Sequence, residues 1–228
     1  MSYENYVLFE KLAETGYVVI SISSIGRFPV DMTMKKEDLF EQVSDAISSF
    51  QTMKQETNID FSKIGIIGYS WGGLSGALLA GRIPGVSCVV SLDGSEFHHY
   101  GESKDENADF EGIINSSEYK NLHIPVPYLR LESSPSKVTE KVDSVYNFSK
   151  KLSGQYRIFK IDSAIHEDFS CLSVVVGESG NCLTSNCFNT SLKLVLPFLN
   201  EHLKNNKSFS KVVDIEINKT IKEISISM

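Results

Sequence analysis

The chain has 228 residues, 22% charged and 41% hydrophobic, the make-up of one globular domain with a sizeable core. A formal net charge of −7 comes with no basic stripe to neutralise phosphates, which argues against a nucleic-acid partner. No apolar run approaches the ~20 residues that span a bilayer, so no transmembrane segment is expected.

The opening Met-Ser-Tyr-Glu-Asn-Tyr has neither a basic n-region nor an apolar h-region. A cytoplasmic location is therefore expected for the chain as it stands, and a secreted or periplasmic one if residues are missing upstream. Residues 3–15 place Tyr6, Phe9, Leu12 and Ala13 on one helical face, with Gly16 as the stop. Residues 17–22 form a β-branched strand candidate, followed by a loop through Arg27 and Pro29. Residues 36–55 make the clearest amphipathic helix, with Leu39, Phe40, Val43, Ile47, Phe50 and Met53 at three- and four-residue steps. Glu37 and Asp38 complement the dipole in its first turn. A short buried strand at 64–67, a small-residue helix from 74 to about Gly81 and a second buried strand at 86–92 come next.

Residues 94–123 are polar, with one helical candidate at 108–114, and are expected to form an inserted loop or small cap over the sheet edge. Strands at 126–131 and 156–161 flank a helix at 138–152, and helical patterns return at 168–176 and 191–204. In the tail, Val213, Ile215 and Ile217 alternate with polar residues, then Ile224 and Ile226 do, which suggests a hairpin turning near Asn218 and Lys219. The alternation of strands and helices implies an α/β fold, an open and mostly parallel sheet with helices on both faces. It is expected to fill residues 1–205, with 206–228 as a tail. Four cysteines are too few for a disulfide scaffold. Cys88 reads as a buried thiol, and Cys182 and Cys187 could close one local bridge in an oxidising compartment.

The chemistry is concentrated in Gly65-Ile66-Ile67-Gly68-Tyr69-Ser70-Trp71-Gly72-Gly73. Strand, sharp turn and helix follow one another, and Gly68, Ser70 and Gly72 have the G-x-S-x-G spacing of a nucleophile elbow. Such a turn strains the serine backbone, so its neighbours must carry little side chain. The hydroxyl then stands above the sheet edge, and the first amides of the next helix face a developing oxyanion. The other reading is a glycine-rich turn whose serine only caps the helix.

A serine hydroxyl needs a base, and the base needs an orienting acid. Of the five histidines, His166 follows the last strand by a short loop, which puts it at the carboxyl edge of the sheet with Ser70. His202 falls on the last helix and His123 precedes a proline-bounded strand, and both read as lying outside the site. Two carboxylates end strands at that edge, Asp93 in Leu92-Asp93-Gly94 and Glu132 in Leu131-Glu132-Ser133. Asp93 is nearer Ser70 in topology and Gly94 allows a sharp turn, so Asp93 is favoured and Glu132 is the alternative. Glu96, His98 and His99 are expected at the pocket mouth. Trp71 and Phe97 would supply an apolar wall or core packing, and Arg27 would meet an anionic substrate group or water. No ligand set has metal spacing, so no metal is expected.

Gly68-Tyr69-Ser70-Trp71-Gly72-Gly73, Leu92-Asp93-Gly94 and His166-Glu167-Asp168-Phe169 together resemble the α/β-hydrolase superfamily. Within it, the likeness is to platelet-activating-factor acetylhydrolase-like and dienelactone-hydrolase-like serine esterases. Leu12-Ala13-Glu14-Thr15-Gly16-Tyr17-Val18-Val19 is similar to another element of the superfamily, and the resemblance covers roughly residues 3–204. It implies a Ser70–His166–Asp93 triad, the Trp71 backbone N–H as an oxyanion donor, a small-molecule ester substrate and no cofactor. The more common position for the acid, after the next strand, reads Glu132-Ser133-Ser134-Pro135-Ser136, which supports Asp93. In the superfamily, strands and a loop carrying the second oxyanion donor precede the helix matched by residues 3–15. Here that donor would fall near Ser2 or Tyr3, so an N-terminally truncated form of the fold is expected. The reading is a serine hydrolase that cleaves a carboxylic ester through an acyl-enzyme. The alternatives are an inactive or truncated binding protein of this fold and a serine peptidase, and the oligomeric state stays open.

Overall fold

The buried apolar runs lie side by side in the computed structural model, which describes residues 5–23, 33, 35–97, 104–133, 147–171, 182–217 and 219–225. β1 (Ile64–Tyr69), β2 (Val86–Leu92), β3 (Tyr128–Glu132) and β4 (Tyr156–Ile161) are parallel neighbours in that order, and β5 (Ile221–Ile224) adds antiparallel to β4. Around them stand α1 (Tyr6–Glu14), α2 (Lys36–Met53), α3 (Trp71–Ala80), α4 (Lys104–Ile114), α5 (Ser117–Lys120), α6 (Cys182–Lys204) and α7 (Phe209–Glu216). The fold is α/β, with an open, mostly parallel sheet.

Because successive strand side chains point to opposite faces, each strand feeds two cores. On one face Val90, Leu92, Leu129, Leu131, Phe159 and Ile161 pack against Leu8 and Leu12 of α1, Leu194 and Phe198 of α6, and Phe209 and Val213 of α7. On the other, Ile66, Val89, Tyr128 and Ile158 meet Leu39 and Val43 of α2, Leu74, Ala77 and Leu78 of α3, and Phe110 and Ile113 of α4. α3 can lie flat on the sheet because Gly73 to Leu79 are all small or apolar and all buried. At the start of α2, the Asp38 carboxylate accepts from the Thr33 amide (2.7 Å) and also from the Thr33 hydroxyl.

Several segments differ from the expectation. Residues 17–22 carry no strand, since a β-branched run becomes a strand only with a ladder partner. Among the described residues, β1 pairs with β2 alone, and Val18 (59%) and Ile20 (40%) are exposed. Tyr17 and Val19 still lean on the α1/α6 core, and the Tyr17 hydroxyl donates to Asn200 Oδ1 at 2.9 Å. The polar stretch after Asp93 forms α4 and α5, and Phe110, Ile113, Tyr119 and Leu122 join the core there.

The tail is not a hairpin. Phe209, Val213 and Glu216 recur at helical spacing and are buried, whereas Ile215 on the alternating pattern is 55% exposed, so helical packing overrides the alternation. The expected helix at 138–152 falls largely outside the described residues, and only a 3₁₀ turn at Ser149–Lys151 is seen. A 3₁₀ turn at His166–Phe169 stands where the 168–176 helix was expected to begin, and residues 172–180 also lie outside the described set. Cys187 is a free, buried thiol, and the Cys182 side chain lies outside the described residues. No described helix is long and apolar enough to cross a membrane.

Ile221 of β5 is wholly buried against β4. In urea denaturation, Ile221→Ala is expected to cost about 2–5 kcal/mol, and Val18→Ala less than about 0.5 kcal/mol. Equal effects would contradict a tail built into the sheet.

Candidate active site

β1 ends at Tyr69 and α3 starts at Trp71, leaving Ser70 alone in the turn with φ 55° and ψ −124°. A non-glycine residue there stores on the order of 1–3 kcal/mol of strain, so something must hold it. Its N–H donates to the Leu92 carbonyl at 3.0 Å, and its own carbonyl accepts from the N–H of Gly73 (2.9 Å) and Ser95 (3.0 Å). Both backbone groups of Ser70 are thus tied to the end of β2, the turn after it or α3. Space decides the glycines unevenly. A Cβ on Gly68 would collide with the Gly72 carbonyl, and one on Gly73 would lie 2.6 Å from Gly94 Cα, but one on Gly72 would meet nothing within 4 Å. The crowding expected on both sides of the serine holds for Gly68 and Gly73 and not for Gly72.

Asp93, in the facing turn, also has a left-handed backbone, with φ 45°. Its N–H donates to the Leu131 carbonyl at 2.7 Å, and its Oδ1 accepts from the Ser133 N–H at 2.8 Å. Its Oδ2 lies 2.7 Å from His166 Nδ1, and His166 Nε2 lies 2.9 Å from Ser70 Oγ. An ionised carboxylate can only accept, so Nδ1 carries the proton and the Nε2 lone pair faces the serine hydroxyl. Burial opposes charge on Asp93, but the His166 hydrogen bond, the nearby Arg130 charge and the Ser133 amide outweigh it and hold its carboxyl below the usual range. Asp93 is 4% exposed and the His166 side chain 41%, so the acid is sealed while the base is open to an incoming molecule.

Tyr69 occupies the variable position of the motif just before the serine. Its ring stacks on His166 with centroids 5.0 Å apart, and its hydroxyl donates to the His166 carbonyl at 3.2 Å. The Asp168 carboxylate accepts from the Ile165 N–H at 2.9 Å and closes the turn that carries the histidine. An aromatic residue beside the nucleophile was the signal available in the sequence.

The other expected residues are distributed differently. Glu132, the alternative acid, is fully buried and faces Arg130 Nε at 3.2 Å and Lys160 Nζ at 3.9 Å. Glu96 does not line a mouth: it is fully buried, with Oε1 2.7 Å from Arg130 Nη1. Phe97 is core rather than pocket wall, edge-on to Phe148 at 4.8 Å. Trp71 is half-buried against the α2/α3 core, and its backbone N–H belongs to the first turn of α3, where amides point out of the helix end.

His123 pairs with Ser153 Oγ at 3.1 Å, and His202 packs edge-on to Phe198 at 4.5 Å, where burial lowers its pKa. Ser2, Tyr3, Arg27, His98 and His99 lie outside the described residues. Among the described residues, no group of three or more His, Cys, Asp or Glu side chains gathers to hold a metal ion. A groove of about 580 Å³ lined by Leu78, Arg82, Ser117, His123 and Pro125 sits at the other end of the sheet, before β3, and has no part in this arrangement.

The glycine geometry has a measurable outcome. Gly68→Ala is expected to abolish the soluble folded protein or lower its Tm sharply. Gly72→Ala, in the first turn of α3, is expected to leave the Tm unchanged or raise it by about 2 °C. A Gly72→Ala protein as damaged as Gly68→Ala would contradict the geometry.

No curated protein matches the sequence. A family profile does: the one described as BAAT / Acyl-CoA thioester hydrolase C terminal matches residues 40–207, from α2 through the end of α6, and includes Ser70, Asp93 and His166. With most of its length matched, this chain belongs to the BAAT / acyl-CoA thioester hydrolase C-terminal family, a family of hydrolase-like α/β domains.

Proposed function

We propose that the chain is a serine hydrolase that cleaves an acyl ester through an acyl-enzyme on Ser70. The observation that carries this is the line from Ser70 Oγ to His166 Nε2 to Asp93, at 2.9 Å and 2.7 Å, on a strained turn at the carboxyl edge of a parallel sheet. The Ser70 oxygen attacks the acyl carbonyl while His166 Nε2 takes its proton. Asp93 holds the imidazole in the right tautomer and stabilises the imidazolium. The oxyanion is met by the Trp71 backbone N–H at the start of α3. His166 then gives the proton to the departing oxygen or sulfur, the acyl group stays on Ser70, and water attacks it by the same relay in reverse.

The family match favours a second reading of the same site, in which the substrate is an acyl thioester such as an acyl-CoA. A thiolate leaves more readily than an alkoxide, so the step needs less help from the His166 proton. Either substrate is a small molecule, and neither reading needs a cofactor. A peptidase and a non-catalytic binding protein remain as outcomes of the test.

The wild type is expected to take up a fluorophosphonate probe, and Ser70→Ala none. Rates on p-nitrophenyl acetate and acetyl-CoA rank ester against thioester. Asp93→Asn should lower kcat by about 10⁴-fold, and Glu132→Gln by much less. A folded wild type that does not label would leave a binding protein as the reading, and the reverse ranking of the two acids would give the role to Glu132. Cleavage of peptides in preference to both acyl donors would make it a peptidase.

A further inference from the structure

Arg130 lies in the middle of β3 on the α2/α3 face, flanked along the strand by Tyr128 and Glu132, and is wholly buried. An apolar side chain would suit the alternation better, because a buried ion pair is often neutral or unfavourable against a hydrophobic substitute. The position therefore calls for another reason. The guanidinium Nη1 donates to Glu96 Oε1 at 2.7 Å and to the Gly94 carbonyl at 2.8 Å, and Nε reaches Glu132 Oε2 at 3.2 Å. Glu96 Oε1 also accepts from the hydroxyls of Ser91 (2.5 Å) and Tyr128 (2.8 Å). Glu96 Oε2 fits between the two backbones of the site: a Cβ on Gly73 would lie 2.7 Å from it, and one on Gly94 would collide with it. Most of these partners, Ser91, Gly94 and Glu96, belong to the segment that carries Asp93.

We propose that Arg130, braced by Glu96, is a positioning residue for Asp93. By holding the Gly94 carbonyl it fixes the left-handed turn that aims the carboxylate at His166, and its charge favours the ionised acid. This rests on the reading of Ser70, His166 and Asp93 given above.

Among the described residues, the charged and titratable groups around Asp93 are His166 from the turn after β4 and Arg130 from β3. Glu96, Glu132 and Tyr128 surround Arg130, with Lys160 of β4 on Glu132. The Arg130 charge favours the ionised form of Asp93.

The test compares wild type, Arg130→Lys, and Arg130→Met made together with Glu96→Gln, so that no carboxylate at Glu96 is left facing an apolar side chain. Both kcat and KM are measured on p-nitrophenyl acetate, with kcat counted per fluorophosphonate-labelled site. The double variant removes one positive and one negative charge together, so what it loses is the hold on the Gly94 carbonyl. Its kcat should fall about 10²-fold with KM little changed. Arg130→Lys is expected to have an intermediate kcat. A folded double variant with the wild-type kcat overturns the proposal. If the double variant does not fold, Arg130→Lys with wild-type kcat overturns it. A wild type that does not label sinks the Ser70 reading and the positioning role with it, whereas a labelling wild type with unaffected variants sinks the positioning role alone.

Discussion

The structure turns on the backbone tie between two strained turns. Ser70 and Asp93 both sit at positive φ at the ends of neighbouring parallel strands, and neither conformation is favoured for its residue. They hold each other through Ser70 N–H to the Leu92 carbonyl and Ser95 N–H to the Ser70 carbonyl, with Gly73 and Gly94 in backbone contact behind them. The distance between the two side chains is therefore set by hydrogen bonds of main chain to main chain, which are shorter and stiffer than any linkage through loops. His166 has only to reach into a gap whose two sides are already fixed, and Tyr69 stacks against it from the elbow itself.

The two cores give this tie its rigidity. The face with α1, α6 and α7 is wholly apolar beneath β2 and β3, with Val90, Leu92, Leu129 and Leu131 close-packed there. The opposite face is apolar near α2 and α3 but charged under Asp93, where Arg130, Glu96 and Glu132 are all sealed from solvent. Charge in that place shapes the electrostatics of the acid turn. It is a local exception in an otherwise hydrocarbon layer, the kind of departure from sheet patterning that accompanies a functional edge.

Much of this was legible in the sequence because the signals are local. β2 and β4 follow directly from buried apolar runs, and α2 from its three- and four-residue spacing. The order of strand ends placed Ser70, Asp93 and His166 at one edge, and the structure brings those three side chains together. What escaped depends on partners distant in the chain. Residues 17–22 have strand composition but no ladder among the described residues. Val213 belongs to a helix because Phe209 and Glu216 share its face, which a two-residue alternation hides. Glu96 looks like a rim residue until Arg130, thirty-odd positions later, draws it inward. Gly72 looks obligatory in the motif and has open space beside it.

The central claim is that this geometry makes Ser70 a nucleophile in acyl transfer. The most direct measurement is intact-protein and peptide mass spectrometry after rapid acid quench of a reaction with p-nitrophenyl acetate. The account predicts one acetyl group, on the peptide containing Ser70, and none in Ser70→Ala. An acetyl group on another residue, or ester turnover that persists in Ser70→Ala, would contradict it.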